Sequence, residues 1–139
     1  KLKIQIASNL HDIGKLGTPN SILDKEDSLT SNELFEIKKH AYLTHTILSK
    51  IDNFSDITKW ASSHHEKLDG TGYPFGLTSN ELGLEERIVS CLDFYQALVE
   101  DRPYRKSMSH FEAMILLRKN LSNFDIDVEI INAIDTVFK

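Results

Sequence analysis

The sequence predicts an all-α fold in one domain. Three observations lead there. Apolar residues recur at helical spacing almost throughout, two capping boxes mark helix starts, and no stretch keeps the two-residue alternation of a strand. The chain has 139 residues, which fits one domain over 1–139 and is long enough to bury a sizeable core.

The elements follow in chain order. Leu2, Ile6 and Leu10 are four apart, so a helix is expected from the start to about His11, stopped by Gly14, Gly17 and Pro19. "TSNE" (Thr30 to Glu33) has a hydroxyl at the cap and a glutamate three on. The helix it opens carries Leu34, Ile37, Ala41, Ile47, Leu48 and Ile51 on one face. A third helix starts near Ser55 with Ile57, Trp60 and Ala61 inward, and its phase turns positions 64 and 65 inward too. It should fray into a long irregular loop around residues 69 to 83. A fourth helix is expected from Leu84 to about Val99. "SHFE" (Ser109 to Glu112) opens a fifth, to about Asn120. The last carries Ile130, Ile131, Ile134, Val137 and Phe138.

Composition limits the function. The 16 basic and 21 acidic residues leave a net charge of −5, which argues against a nucleic-acid polymer or an anionic membrane surface as partner. A small phosphate ligand held by a few local cations stays open. The apolar runs are too short to span a bilayer. The single cysteine, Cys91, allows no intrachain disulfide, fits a reducing compartment such as the cytoplasm, and reads as a buried small hydrophobe.

Several polar residues fall where apolar ones belong. His40 sits inside the apolar stripe of the second helix. His64 and His65 occupy the inward positions after Ala61. Asp93 lies in "SCLDFYQAL", and His11 and Asp12 follow inward-facing Leu10. An unpaired buried polar group costs about 1–3 kcal/mol, and an ionised carboxylate more. A shared metal cluster is the simplest common partner for His11, Asp12, His40, His64, His65 and Asp93. This set exceeds what one tetrahedral ion needs, so two ions are expected. Imidazole and carboxylate suit iron, manganese or zinc, and the lack of thiolates argues against a structural zinc. Adjacent ligands point about 100° apart on a helix, so His11–Asp12 and His64–His65 can each serve two ions. The zinc pattern HExxH fails, since Asp69 stands where its second histidine would be.

The remaining parts suit phosphate chemistry. Lys15, one turn past Asp12, is placed to meet a phosphate or a leaving oxygen. Arg102 and Arg105 flank Pro103-Tyr104, and arginine forks hold phosphates at two points. Gly70, Gly72 and Pro74 shape a loop that presents Tyr73 as a platform for a base or tucks it into the core. Alone, Lys15 reads as a solvated lysine and the arginines as surface salt bridges. His45, at the edge of its stripe, and His110, inside a capping box, are read as structural.

Together these residues resemble the HD-GYP family of the HD phosphohydrolase superfamily. "HDIGK" (His11 to Lys15) matches its HD signature and "HHEKLDGTGYP" (His64 to Pro74) the signature that names it. "GTPNSIL" (Gly17 to Leu23) and "ERIVSCLDFYQALVEDRPYRK" (Glu86 to Lys106) match its other segments. The resemblance covers essentially the whole chain. It implies an all-α HD-domain helical bundle with a long GYP loop and a two- or three-metal centre of iron or manganese. The implied activity is a phosphodiesterase that opens the bacterial second messenger cyclic di-GMP, a metal-bound hydroxide attacking phosphorus. By similarity, His11, Asp12, His40, His64, His65 and Asp93 fall on metal-ligand positions, and Lys15 and Asp12 on catalytic ones. Lys15, Asp69, Gly72, Tyr73, Pro74, Arg102 and Arg105 fall near the bound dinucleotide. Implied partners are diguanylate cyclase (GGDEF) domains and an upstream sensor or receiver domain.

The chain departs from the family at three places. "HPxxG" around the middle histidine is here "HAYLT" (His40 to Thr44). Gln96 replaces a commonly acidic residue. The superfamily supplies a further histidine from a helix upstream of the HD pair, and in three-metal members a glutamate; neither residue type occurs before His11. The chain is therefore expected to lack its N-terminal helix and to be a piece of a longer protein. The rival to the enzyme is a non-catalytic module that senses cyclic di-GMP or docks a protein. A weaker third reading is a phosphohydrolase of another nucleotide. The intact ligand set and Lys15 favour the enzyme.

Overall fold

The structure is a computed structural model and describes residues 1–101, 106–121 and 127–138. Its elements are α1 (Leu2–Leu10), a 3-10 segment (Ile13–Gly17), α2 (Asn20–Leu23), α3 (Ser31–Leu48), α4 (Ser55–Ser62), α5 (Leu84–Val99), α6 (His110–Leu121) and α7 (Val128–Val137). The described residues form no strand, and one isolated antiparallel bridge joins Asp69 to Thr78. The all-α expectation holds.

Both capping boxes form. Thr30 Oγ1 accepts from Glu33 N at 3.3 Å while Glu33 Oε2 accepts from Thr30 N at 2.7 Å. Ser109 and Glu112 repeat the exchange at 3.3 and 2.9 Å. Each box satisfies donors that a helix start leaves orphaned. The 3-10 segment and α2 were not foreseen, because glycine and proline there read only as stops.

Two expected helix ends move. α3 ends at Leu48, not Ile51. Its buried face is His40, Ala41, Thr44 and Leu48, while Leu34 is 45% exposed. α4 ends at Ser62, so His64 and His65 belong to the turn after it rather than to its helical phase. At that end His64 Nδ1 bonds the Ala61 carbonyl at 2.7 Å, satisfying an acceptor that the helix end frees.

The core has two clusters. Ala7, Leu48, Ile57 and Ala61 join α1, α3 and α4. Tyr95, Leu98, Met114, Leu117, Ile131 and Ile134 join α5, α6 and α7 around Cys91. Cys91 is 1% exposed, and burial pushes its thiol up to about 11, so it packs as the small hydrophobe expected. The polar residues singled out in the sequence collect where α1, α3 and the turn after α4 meet the middle of α5. None of the described helices is long and apolar enough to cross a membrane.

Candidate metal centre

The centre draws on the ends of α1 and α4 and on the middles of α3 and α5. His11 caps α1, and its Nδ1 bonds the Ser8 carbonyl at 2.6 Å. His40 Nδ1 bonds the Ile37 carbonyl at 2.7 Å, and His64 Nδ1 the Ala61 carbonyl at 2.7 Å. A carbonyl only accepts, so each Nδ1 carries the proton. Each Nε2 of a neutral ring then presents a lone pair to the centre.

Those lone pairs converge. His40 Nε2 lies 3.1 Å from His64 Nε2. Asp12 Oδ1 lies 3.3 Å from His40 Nε2 and 3.8 Å from His64 Nε2. His11 Nε2 lies 3.5 Å from Asp12 Oδ2 and 3.3 Å from Asp93 Oδ1. The ring of His65 is 4.1 Å from that of His64 and 5.0 Å from that of His40, centroid to centroid. Two groups of donor atoms result, His40–His64–His65 and His11–Asp12–His64, each within 4.8 Å and sharing His64. Asp93 adjoins the second through His11.

The electrostatics fit cations. Burial, reinforced by neighbouring imidazoles, holds His64 and His65 down to about 3, so both rings are neutral at ordinary pH. Burial also lowers His40. At His11 burial acts downward, but Asp93, the Ser8 carbonyl and Asp12 outweigh it and raise its pKa. That position favours positive charge. For Asp12, burial is outweighed by the Lys15 ammonium 2.6 Å away and by His11, so its carboxyl stays ionised. Two neutral imidazoles that face each other through unprotonated Nε2 atoms repel, unless a cation lies between them. The donor set therefore fits divalent ions.

A small number of contacts position these groups. The 3-10 segment lies against α3 so closely that a Cβ on Gly14 would stand 1.9 Å from the His40 carbonyl oxygen. The loop after His65 folds back over its own start, where a Cβ on Gly72 would stand 2.4 Å from Glu66 Cα. Glu66, 3% exposed, anchors that loop by accepting from Phe75 N at 2.6 Å and Leu77 N at 2.9 Å. Tyr73 N bonds the His65 carbonyl at 3.1 Å, and its ring stacks on His65 at 4.8 Å with a 29° tilt. Lys38 Nζ lies 5.1 Å from the Tyr73 centroid, a cation–π distance. Burial, with Asp93 and Asp12, pushes the Tyr73 hydroxyl up to about 12.

Of the other candidates, Lys15 adjoins the centre and the rest lie in the loop or apart from it. Lys15 reaches Asp12, with 40% of its side chain exposed. Asp69 accepts from Thr71 N and Oγ1 at 2.9 and 2.7 Å, which closes a turn in the loop. Pro74 follows a cis peptide. Gln96 turns to Glu100, with 2.6 Å between Nε2 and Oε1. Arg102 and Arg105 lie outside the described residues. His45 and His110 have other company. His45 Nδ1 is 3.5 Å from Ser62 Oγ, and His110 bridges Tyr95 and Asp135 at 3.0 and 3.1 Å. Sequence reasoning passed over Thr44, Glu66 and Lys38. For Glu66 a signal was there: an acid inside the HHEKLDG run, next to a loop with amides to satisfy.

Residues 1–130 match the family model described as HD domain. The chain is 42% identical over 121 residues to 3'3'-cGAMP-specific phosphodiesterase 3 of Vibrio cholerae serotype O1, covering 87% of this chain and 26% of that protein. It is 38% identical over 116 residues to the cyclic di-GMP phosphodiesterase response regulator RpfG of Xanthomonas campestris pv. campestris, covering 82% and 31%. It is 38% identical over 130 residues to cyclic di-GMP phosphodiesterase PdeB of Borreliella burgdorferi, covering 91% and 34%. The chain thus spans about a quarter to a third of the relatives it matches.

Proposed function

Because the chain belongs to the HD domain family and carries its HD-GYP signature, we propose that it is a metal-dependent phosphodiesterase of cyclic dinucleotides, with cyclic di-GMP as substrate. The observation that carries this reading is the convergence of the Nδ1-pinned histidines, with Asp12 and Asp93, on two donor groups that share His64. In this reading His11, Asp12, His40, His64, His65 and Asp93 hold two or three divalent ions. Imidazole and carboxylate without thiolate suit iron or manganese. Bound there, such ions supply Lewis acidity toward a phosphoryl oxygen and lower the pKa of water.

The chain's own residues do the rest. Lys15 keeps Asp12 ionised and leaves part of its ammonium free for a phosphate oxygen. Tyr73 keeps its proton and offers a donor beside the carboxylates. The loop from Asp69 to Pro74 forms the rim on which the dinucleotide sits, with Arg102 and Arg105 as further phosphate contacts. One relative is a response regulator by name, which supports a cytoplasmic signalling role beneath an upstream domain. GGDEF domains are the docking partners this role suggests.

The relatives are named for two substrates, so the test uses both. The full chain is loaded anaerobically with Mn²⁺ or Fe²⁺, and cyclic di-GMP and 3'3'-cGAMP are offered separately. Linear dinucleotide or mononucleotide from cyclic di-GMP is expected. Turnover of 3'3'-cGAMP alone reassigns the substrate. Binding of either without turnover makes this a sensing module.

A further inference from the structure

We propose that Thr44 is a positioning residue that sets the His11–Asp12 pair against His40. The inference rests on the metal reading of the centre. Thr44 is fully buried, and its hydroxyl is used twice. It accepts from Gly14 N at 3.0 Å and donates to the His11 carbonyl at 2.9 Å. These bonds hold both ends of the segment from His11 to Gly14, which carries two adjacent donors of the centre. Thr44 lies one turn after His40 on the buried face of α3. One helix therefore presents His40 and, from the next turn, fixes the spacing of His11 and Asp12 from it.

The absence of a side chain at Gly14 belongs to the same device. A Cβ there would meet the His40 oxygen at 1.9 Å and the Thr44 nitrogen at 2.6 Å, so only glycine brings its amide into reach of the hydroxyl. Groups that orient metal ligands change metal affinity by about 10–100-fold when lost.

The test measures Mn²⁺ binding by calorimetry on the metal-stripped full chain, with no dinucleotide present. Thr44→Val keeps the shape and removes the hydroxyl. It is expected to weaken Mn²⁺ binding at least about 10-fold. Thr44→Ser keeps the hydroxyl and is expected to bind within about 3-fold of the unmodified chain, although it loses the same methyl that Thr44→Ala loses. Thermal melts check that each variant folds; where valine does not, alanine against serine gives the same comparison. Affinity that follows shape rather than the hydroxyl, with valine like threonine or serine like alanine, overturns the inference and leaves the metal reading intact. A wild-type chain that takes up no Mn²⁺ overturns both.

Discussion

At the scale of single residues, three of the four imidazoles at the candidate centre have one fixed and one free nitrogen. His11, His40 and His64 achieve this through a carbonyl three residues back. His65 instead packs against Tyr73. Removing it strips one donor from the His40–His64–His65 group and leaves the other group whole. His65→Ala is expected to lower bound metal by about one ion per chain, read by elemental analysis after loading and desalting. An unchanged metal content would release His65 from the ligand set. These donors were legible in the sequence because each interrupts an apolar stripe, and because the HD and GYP runs are long and ordered. Thr44 and Glu66 were not. Threonine inside a buried face reads as neutral, and its use depends on how near the 3-10 segment comes from thirty residues away. The value of Glu66 depends on loop amides at Phe75 and Leu77, which only the folded loop delivers.

At the scale of elements, helix starts were legible and helix ends less so. A capping box is a local pattern, and both formed as written. An end depends on what the last carbonyls find, and at the end of α4 the His64 ring bonds one of them. The 3-10 segment is not legible in the sequence because it is held by α3, not by its own propensity. That dependence can be tested. A Cβ on Gly14 meets α3 backbone, which cannot move aside, whereas a Cβ on Gly17 meets mainly the end of the Leu43 side chain, at 2.6 Å. Gly14→Ala is expected to lose about 3 kcal/mol or more in urea unfolding, and Gly17→Ala about 1 kcal/mol, since a flexible side chain can shift. Equal losses would mean that the segment does not owe its place to the contact with α3.

At the scale of the whole molecule, the two core clusters leave the start of α5 and the start of α7 to be tied by charge. Arg87 Nη1 lies 2.9 Å from Asp127 Oδ2, and the same guanidinium bonds the carbonyls of Leu82 and Ser79, at the end of the loop that leads into α5. Asp127 also caps α7, its Oδ1 accepting from Glu129 N and Ile130 N at 3.0 and 3.4 Å. Burial acts to raise its carboxyl, but Arg87 and the two amides outweigh it and hold the pKa below the ordinary 3.8. A depressed carboxyl stabilises the fold above its unfolded pKa, and that contribution disappears as pH falls through the folded value. Asp127→Asn keeps a capping oxygen and removes the charge. It is expected to cost about 1–3 kcal/mol at pH 7, in the range of hydrogen bonds to charged groups. The gap to the unmodified chain should hold down to about pH 4 and close below 3.8, once the native carboxyl is itself protonated. Melts of the metal-stripped chain from pH 7 to 3 read this without interference from an ion released at the candidate centre. A gap that stays constant across that range would assign the loss to the shape of the cap, and the link between the loop and α7 would then owe nothing to the Asp127 charge.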